Sequence, residues 1–257
     1  LSQDRAALVA RLEAGGFVAA GEEADELLAC AGGDDEHLEA MLERRFTGEP
    51  LAWITGSVTF CGVEVRVDPG VYVPRRQSEQ LALHAAQRLP ERGGTAVDLC
   101  TGSGAIAAVL CARRPTARVI ATEVDRRAVA NARANAVEVF EGDLLDPLPQ
   151  TLEGQVATIV GIVPYVPTPE LNLLQRDTFT FETALSYDGG DDGTTHLRRA
   201  VAGAARFLAP GGALLLELGA GQPERLHDDL TRHGFTDVAV LHDEDGDIRG
   251  IEATLDA

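Results

Sequence analysis

Val97-Asp98-Leu99-Cys100-Thr101-Gly102-Ser103-Gly104-Ala105 is an apolar run that enters a glycine-rich turn and leaves it as a helix over about Ile106 to Cys111. Glycines at such a turn adopt backbone conformations closed to other residues and let a ligand approach the main chain, while the helix that follows offers free N–H groups in its first turn. The combination suits a nucleotide-like ligand. Gly102, Gly104 and Ala107 satisfy the looser form of the dinucleotide fingerprint. The glycines by themselves therefore leave a nicotinamide site and a site for another adenosyl ligand both open.

Outward from this turn, short apolar runs alternate with helical patterns, which predicts βαβ units and a parallel sheet. The strands fall at Ala96 to Leu99, Arg118 to Thr122, Val137 to Glu141, Ala157 to Val160 and Gly212 to Leu218. Two further runs, Asp237 to His242 and Gly250 to Leu255, read as an antiparallel hairpin closing the sheet. Upstream, Val58-Thr59-Phe60 and Val63 to Val67 alternate around Cys61-Gly62 as a β-hairpin, and a helix with Leu81, Leu83 and Ala86 on its apolar positions follows Pro74-Arg75-Arg76. From Ala6 to Phe46 apolar residues recur at spacings of three and four, broken by Gly15-Gly16 and Gly32-Gly33, which predicts two or three short helices.

Two carboxylates bear on the choice of ligand. Asp98, four residues before Gly102, is placed to orient the loop and attract a cation such as a sulfonium or amine. Glu123 closes the second strand about 20 residues after the loop, where a carboxylate accepts hydrogen bonds from ribose hydroxyls. With Glu141-Gly142-Asp143 after the third strand they outline an adenosine site at the carboxyl ends of successive strands. The fourth strand runs into Gly161-Ile162-Val163-Pro164-Tyr165, where a proline beside an aromatic forms a rigid wall able to stack on a planar substrate group.

Composition narrows the function classes. Among 257 residues, 22 basic against 41 acidic side chains leave a formal charge of -19, a field that repels phosphate backbones and anionic lipid. No nucleic-acid or membrane partner is expected. Every basic side chain other than histidine is Arg, so neither a P-loop nor a dehydrogenase Tyr-x-x-x-Lys pair exists. No apolar stretch approaches the ~20 residues that span a bilayer, no signal-peptide pattern precedes the helices, and a reducing cytoplasm is the expected compartment. The cysteines Cys30, Cys61, Cys100 and Cys111 show no ligand spacing and read as buried free thiols. The six histidines, His37, His84, His196, His227, His233 and His242, show none either; no metal is expected, and most of these histidines read as surface residues.

Taken in order, Gly48-Glu49-Pro50-Leu51, Trp53-Ile54-Thr55-Gly56, Val73-Pro74-Arg75-Arg76 with Glu79, Asp98 to Ile106, Glu123 and Leu185 to Gly193 resemble the HemK-type release-factor glutamine methyltransferases of the class I S-adenosylmethionine-dependent superfamily. The resemblance covers most of the chain. It implies an α/β, Rossmann-like catalytic sheet with a small N-terminal helical domain and a β-hairpin linker: a substrate-recognition domain over 1–48, the linker over 49–77 and the methyltransferase domain over 78–257. It implies S-adenosyl-L-methionine as methyl donor, held by Asp98, Cys100, Thr101, Gly102, Ser103, Gly104, Glu123, Asp143 and Leu144. The acceptor would be a glutamine side-chain amide of a protein such as a release factor, met by Ile162, Val163, Pro164 and Tyr165, with Arg75 and Arg76 as further substrate contacts.

The chain departs from the family at two places. The family motif Asn-Pro-Pro-Tyr lands on Ile162-Val163-Pro164-Tyr165, and the side chain of Ile162 cannot accept the hydrogen bond with which the motif Asn holds the substrate amide. The link between the helix ending near Asn135 and the strand at Val137 is also short. Two alternatives stay open beside glutamine methylation: a donor-binding protein without turnover, and a methyltransferase repurposed for another small acceptor. The oligomeric state is not legible in the sequence.

Overall fold

The computed structural model describes residues 4–174 and 178–256, and the chain folds as two units. The smaller spans Leu1–Ser57 with Val67–Pro69. Its helices α1 (Arg5–Ala14), α2 (Ala20–Ala31) and α3 (Asp35–Phe46) and a short α4 (Leu51–Thr55) follow from their punctuation. Asp4 and Asp34 cap α1 and α3 by accepting backbone N–H groups at 3.0 Å, and α2 stops at Gly32 in the left-handed conformation. Leu12, Leu27, Met41 and Leu42, spaced to share one face of each helix, close its core with Ile54.

The larger unit spans Val58–Arg66 and Gly70–Ala257. The hairpin of β1 (Ser57–Phe60) and β2 (Val63–Arg66) precedes α5 (Glu79–Arg88). Then come β3 (Thr95–Leu99), α6 (Ala105–Arg113), β4 (Arg118–Glu123), α7 (Arg126–Ala134), β5 (Glu138–Glu141) and β6 (Val156–Gly161). The chain continues through α8 (Thr178–Phe181), α9 (Thr195–Phe207), β7 (Leu208–Glu217), α10 (Gln222–Arg232), β8 (Phe235–His242) and β9 (Ile248–Leu255). The seven-stranded sheet has the order β5-β4-β3-β6-β7-β9-β8, with β3 to β7 parallel and β9 antiparallel to both its neighbours.

Both faces of the sheet are covered, which is why its central strands read as near-continuous apolar runs. Val97 and Leu99 point to the layer of α9 and α10, packing with Leu197, Val201 and Leu226. Ala96 points to the layer of α5 and α6. The two-residue period puts Asp98 on the α6 side.

The last three strands, β7, β8 and β9, begin two to four residues earlier than their composition predicts. Leu208 already pairs with Val156, and the Ala209-Pro210-Gly211 stretch, ahead of the predicted start at Gly212, is accommodated as an irregularity in that pairing. Phe235 pairs with Leu255, and Asp237, at φ 48°, lies within a second irregularity between Thr236 and Ala239. The expected burial of the thiols fails for Cys30 and Cys111, which are free but exposed. Cys111 follows Leu110 on α6 and lies off the stripe of Ile106, Ala107, Val109 and Leu110 that meets the sheet.

Candidate functional site

The carboxyl ends of the parallel strands are laced together by main-chain bonds. The Thr101 N–H donates to the Thr122 carbonyl at 3.1 Å, and the Gly142 N–H donates to the Glu123 carbonyl at 2.8 Å. Above them opens a cleft of about 1190 Å³, its solvent-open mouth included. It lies at the switch point where β3 leads to β4 on one side and β6 pairs on the other, the place where open α/β sheets bind ligands.

The turn after β3 holds Cys100, Gly102 and Gly104 at φ of 52°, 57° and 87°. At Gly104 a Cβ would approach Ala132 and Val137 to 3.1 and 3.2 Å, so this glycine lets the helix start pack against α7. At Gly102 the space is open, with only Tyr72 at 4.0 Å, so there the missing Cβ leaves the main chain bare to the cleft. The outer side of the turn is held by Asn131 and Asn135, whose amides donate to the Ser103 carbonyl at 3.2 and 2.8 Å. Asn131 lies on α7 and Asn135 is its C-cap, four residues on and on the same face, a spacing visible in the sequence. The short link after Asn135 is made by Ala136 at φ 60°, with the Val137 N–H returning to the Ala132 carbonyl at 3.2 Å.

Asp98 is 1% exposed. Its Oδ2 accepts from the Thr101 hydroxyl at 2.5 Å and from the Ala107 N–H at 3.1 Å. Gly104, at the N-cap of α6, has no side chain to cap with, and Asp98 reaches over from the strand to satisfy a first-turn donor instead. Burial pushes its carboxyl up to about 7, against the lowering pull of these two hydrogen bonds. Glu123 accepts from Gly102 N at 2.9 Å through Oε2, and from Val124 N at 2.8 Å and Asp125 N at 2.9 Å through Oε1. Burial raises its pKa as well, opposed by the same three bonds. Two buried carboxyls whose ionised forms are disfavoured line one cleft, an arrangement that favours a cationic ligand.

Asp98, Cys100, Thr101, Gly102, Ser103, Glu123, Asp143, Leu144, Ile162 and Pro164 all line the cleft. Gly104 sits behind the turn, and Val163 is fully buried in the sheet layer facing α9. Tyr165 does not line the cleft. Its hydroxyl donates to buried Glu217 at the end of β7 at 3.0 Å, and its carbonyl accepts from Gln222 Nε2 at 2.7 Å. It therefore fastens the end of β6 from behind. The Asp188-Gly189-Gly190 segment packs on the same stretch, with the Gly189 N–H donating to the Val166 carbonyl at 2.8 Å. A Cβ on Gly193 would come within 2.3 Å of the Tyr165 carbonyl.

Arg75 pairs with Glu182, and Arg76 is exposed. His196, in the first turn of α9, lines the cleft. Apolar walls come from Phe60 of the hairpin, Val71 and Tyr72 after it, Val124 at the end of β4 and Leu185. No group of side chains suited to a metal ion occurs among the described residues, and no helix among them is long and apolar enough to cross a membrane.

The profile of the methyltransferase small domain matches residues 62–159. Over 227 residues the chain is 40% identical to the release factor glutamine methyltransferase of Mycolicibacterium smegmatis, spanning 85% of this chain and 78% of that protein. It is 37% identical over 191 residues to the 4-amino-L-phenylalanine/4-methylamino-L-phenylalanine methyltransferase of Streptomyces pristinaespiralis, spanning 70% of this chain and 65% of that one. Among solved structures, one from the E. cuniculi Mtq2–Trm112 complex shares the fold at a TM-score of 0.54 and 22% identity, over 73% of this chain and 99% of that chain. With its motifs, its sheet order and these likenesses, the chain belongs to the HemK-type family of release-factor glutamine methyltransferases, within the class I methyltransferases.

Proposed function

We propose that the chain transfers a methyl group from S-adenosyl-L-methionine to a nitrogen acceptor, with a glutamine side-chain amide of a protein such as a release factor as the leading acceptor. The observation that carries this is the pair Asp98 and Glu123 beside a bare glycine turn in one cleft. The residues present fit the donor. Open space over Gly102, an unpartnered buried hydroxyl on Ser103 and two carboxyls that favour a cation are the features an adenosyl sulfonium with an ammonium group needs. When bound, the donor supplies an electrophilic methyl group on a positively charged sulfur.

The chain's own contribution is placement and exclusion of water. Glu123, already oriented by three main-chain N–H groups, retains acceptor capacity toward ribose hydroxyls. Asp98 offers negative charge to the amino-acid end of the donor. Cys100, Thr101, Gly102, Ser103 and Gly104 shape the turn around it, and Asp143 and Leu144 stand on the adenine side. Ile162 and Pro164 form the wall toward the acceptor. Val163 and Tyr165 hold that wall from within the fold. Residues 1–48 would recognise the protein substrate, 49–77 link, and 78–257 carry the reaction. A protein acting on release factors works in the cytoplasm, so that location belongs to this reading.

A second reading is favoured by Ile162. An amide nitrogen shares its lone pair with the carbonyl and needs a partner to hold it, whereas an aromatic amine is a nucleophile without that help. A relative that acts on 4-amino-L-phenylalanine gives this reading weight. Calorimetric titration with S-adenosyl-L-methionine and S-adenosylhomocysteine, on this chain and on Ile162→Asn, followed by methyl-transfer assays on a release-factor glutamine peptide and on 4-amino-L-phenylalanine, separates the two. Donor binding by both proteins is expected, with turnover of the glutamine peptide at least about tenfold faster in Ile162→Asn. Absence of binding of both S-adenosyl-L-methionine and S-adenosylhomocysteine overturns the methyltransferase reading.

A further inference from the structure

The cleft has a wall that no strand supplies. On one side Val71, Tyr72 and Pro74 line it, and on the other Thr183, Leu185 and Ser186. Both stretches lie outside the helices and strands that frame the sheet. More than a hundred residues separate them, yet side chains join them, with Glu182, 5% exposed, at the centre. Its Oε1 accepts the Val73 N–H at 3.0 Å. Its Oε2 accepts from Arg75 Nη2 and from the Tyr187 hydroxyl. Arg75 Nη2 also donates to the Tyr187 hydroxyl at 2.8 Å, and its guanidinium lies 4.9 Å from the Tyr72 ring centroid. Tyr72 and Tyr187 meet edge to face at 5.6 Å.

A buried carboxylate is retained only where its acceptor sites are used, and here three donors from both stretches converge on it. The later stretch holds a single 3-10 turn over Ala184–Ser186 and meets the chain after β6 where the Val166 N–H donates to the Tyr187 carbonyl at 2.9 Å, but among the described residues no main-chain bond runs from one stretch to the other. The donor-side residues are tied to strand ends by the Thr101–Thr122 and Gly142–Glu123 bonds, none of which involves Glu182. Loosening Glu182 would therefore move one wall and leave the other in place.

We propose that Glu182 is a positioning residue: by joining Val73 and Arg75 to Tyr187 it sets the separation of the two stretches that form the acceptor wall of the cleft. The assignment of this wall to the acceptor rests on the methyltransferase reading above. The join itself does not.

The test uses the full chain as wild type, Glu182→Ala, Glu182→Gln and Tyr187→Phe, with thermal melting to show that each is folded. In hydrogen exchange, Glu182→Ala is expected to lose protection at 70–75 and 183–188 together, with 99–104 unchanged; Tyr187→Phe shows the same pattern more weakly. S-adenosylhomocysteine should bind all four within about twofold, while KM for whichever of the glutamine peptide or 4-amino-L-phenylalanine is turned over rises about tenfold in Glu182→Gln, with kcat changed less. If Glu182→Ala does not fold, the Gln and Phe variants decide. Exchange that changes in only one stretch, or in neither, overturns the join. Donor affinity that falls in step with the rise in KM overturns the assignment to the acceptor wall. If the wild type binds no donor, the methyltransferase reading fails, and the exchange measurement still decides the join.

Discussion

Asp98→Asn should stabilise the ligand-free protein, and by an amount that grows with pH. The Asp98 carboxyl ordinarily titrates at 3.8 and is pushed up to about 7 by burial in the fold. An acid whose pKa is raised on folding holds its proton more tightly in the native state, so stability falls as pH climbs from the lower value through the higher one. At 1.36 kcal/mol per pH unit, that interval amounts to about 4 kcal/mol lost by pH 8, and to about 2 kcal/mol by pH 5. Asn keeps a carbonyl oxygen for the Thr101 hydroxyl and the Ala107 N–H and carries no charge to desolvate. Any constant difference between the side chains cancels when the two pH values are compared. Urea unfolding of both proteins at pH 5 and pH 8 should therefore show the advantage of Asn larger by about 2 to 3 kcal/mol at pH 8. Donor affinity should fall in the same variant, because the charge the fold disfavours is the one a cationic ligand needs. An advantage equal at both pH values, or a variant less stable at pH 8 than at pH 5 relative to wild type, refutes the reasoning.

The two glycines of the turn should separate when each is replaced by Ala. Gly104→Ala, with a left-handed φ and a Cβ 3.1 Å from Ala132, should cost about 3 kcal/mol of stability in chemical unfolding, whereas Gly102→Ala, in open space, should cost about 1 kcal/mol while weakening donor binding in calorimetry. Tyr165→Phe removes a donor from the buried Glu217 carboxyl, whose pKa burial already raises. The variant should lose about 1 to 3 kcal/mol, more at high pH than at low, since the ionised form loses a partner; a loss independent of pH between 5 and 8 would count against this account.

The strands and the glycine turn were legible because their signals are local: a two-residue period, an apolar run and a turn that only glycine eases. Asp98 and Glu123 were legible because register along a strand fixes which end of the sheet a residue reaches. Tyr165 was not, since beyond the strand end no period says where a side chain points, and its partner Glu217 lies on another strand. The pairing of Arg75 with Glu182 has the same character: the two lie 107 residues apart in the sequence, and only the fold brings them together. His196 lines the cleft because α9 begins there, whereas its sequence neighbourhood looks like any helix start. The exposure of Cys111, by contrast, was written in the spacing of its helix.

The sheet order carries a consequence for synthesis. β9 lies between β7 and β8, although the chain makes it after both. When Leu214 to Leu216 leave the ribosome, the edge that will meet Ile251 to Ala253 has no partner, and roughly 40 residues, some 2 to 8 seconds of translation, pass before one arrives. During that interval an apolar strand shows its open side to the cell. The nascent chain is thus exposed to wrong pairing while the stretch between residues 217 and 255 is made, and a ribosome paused there would hold that apolar edge open.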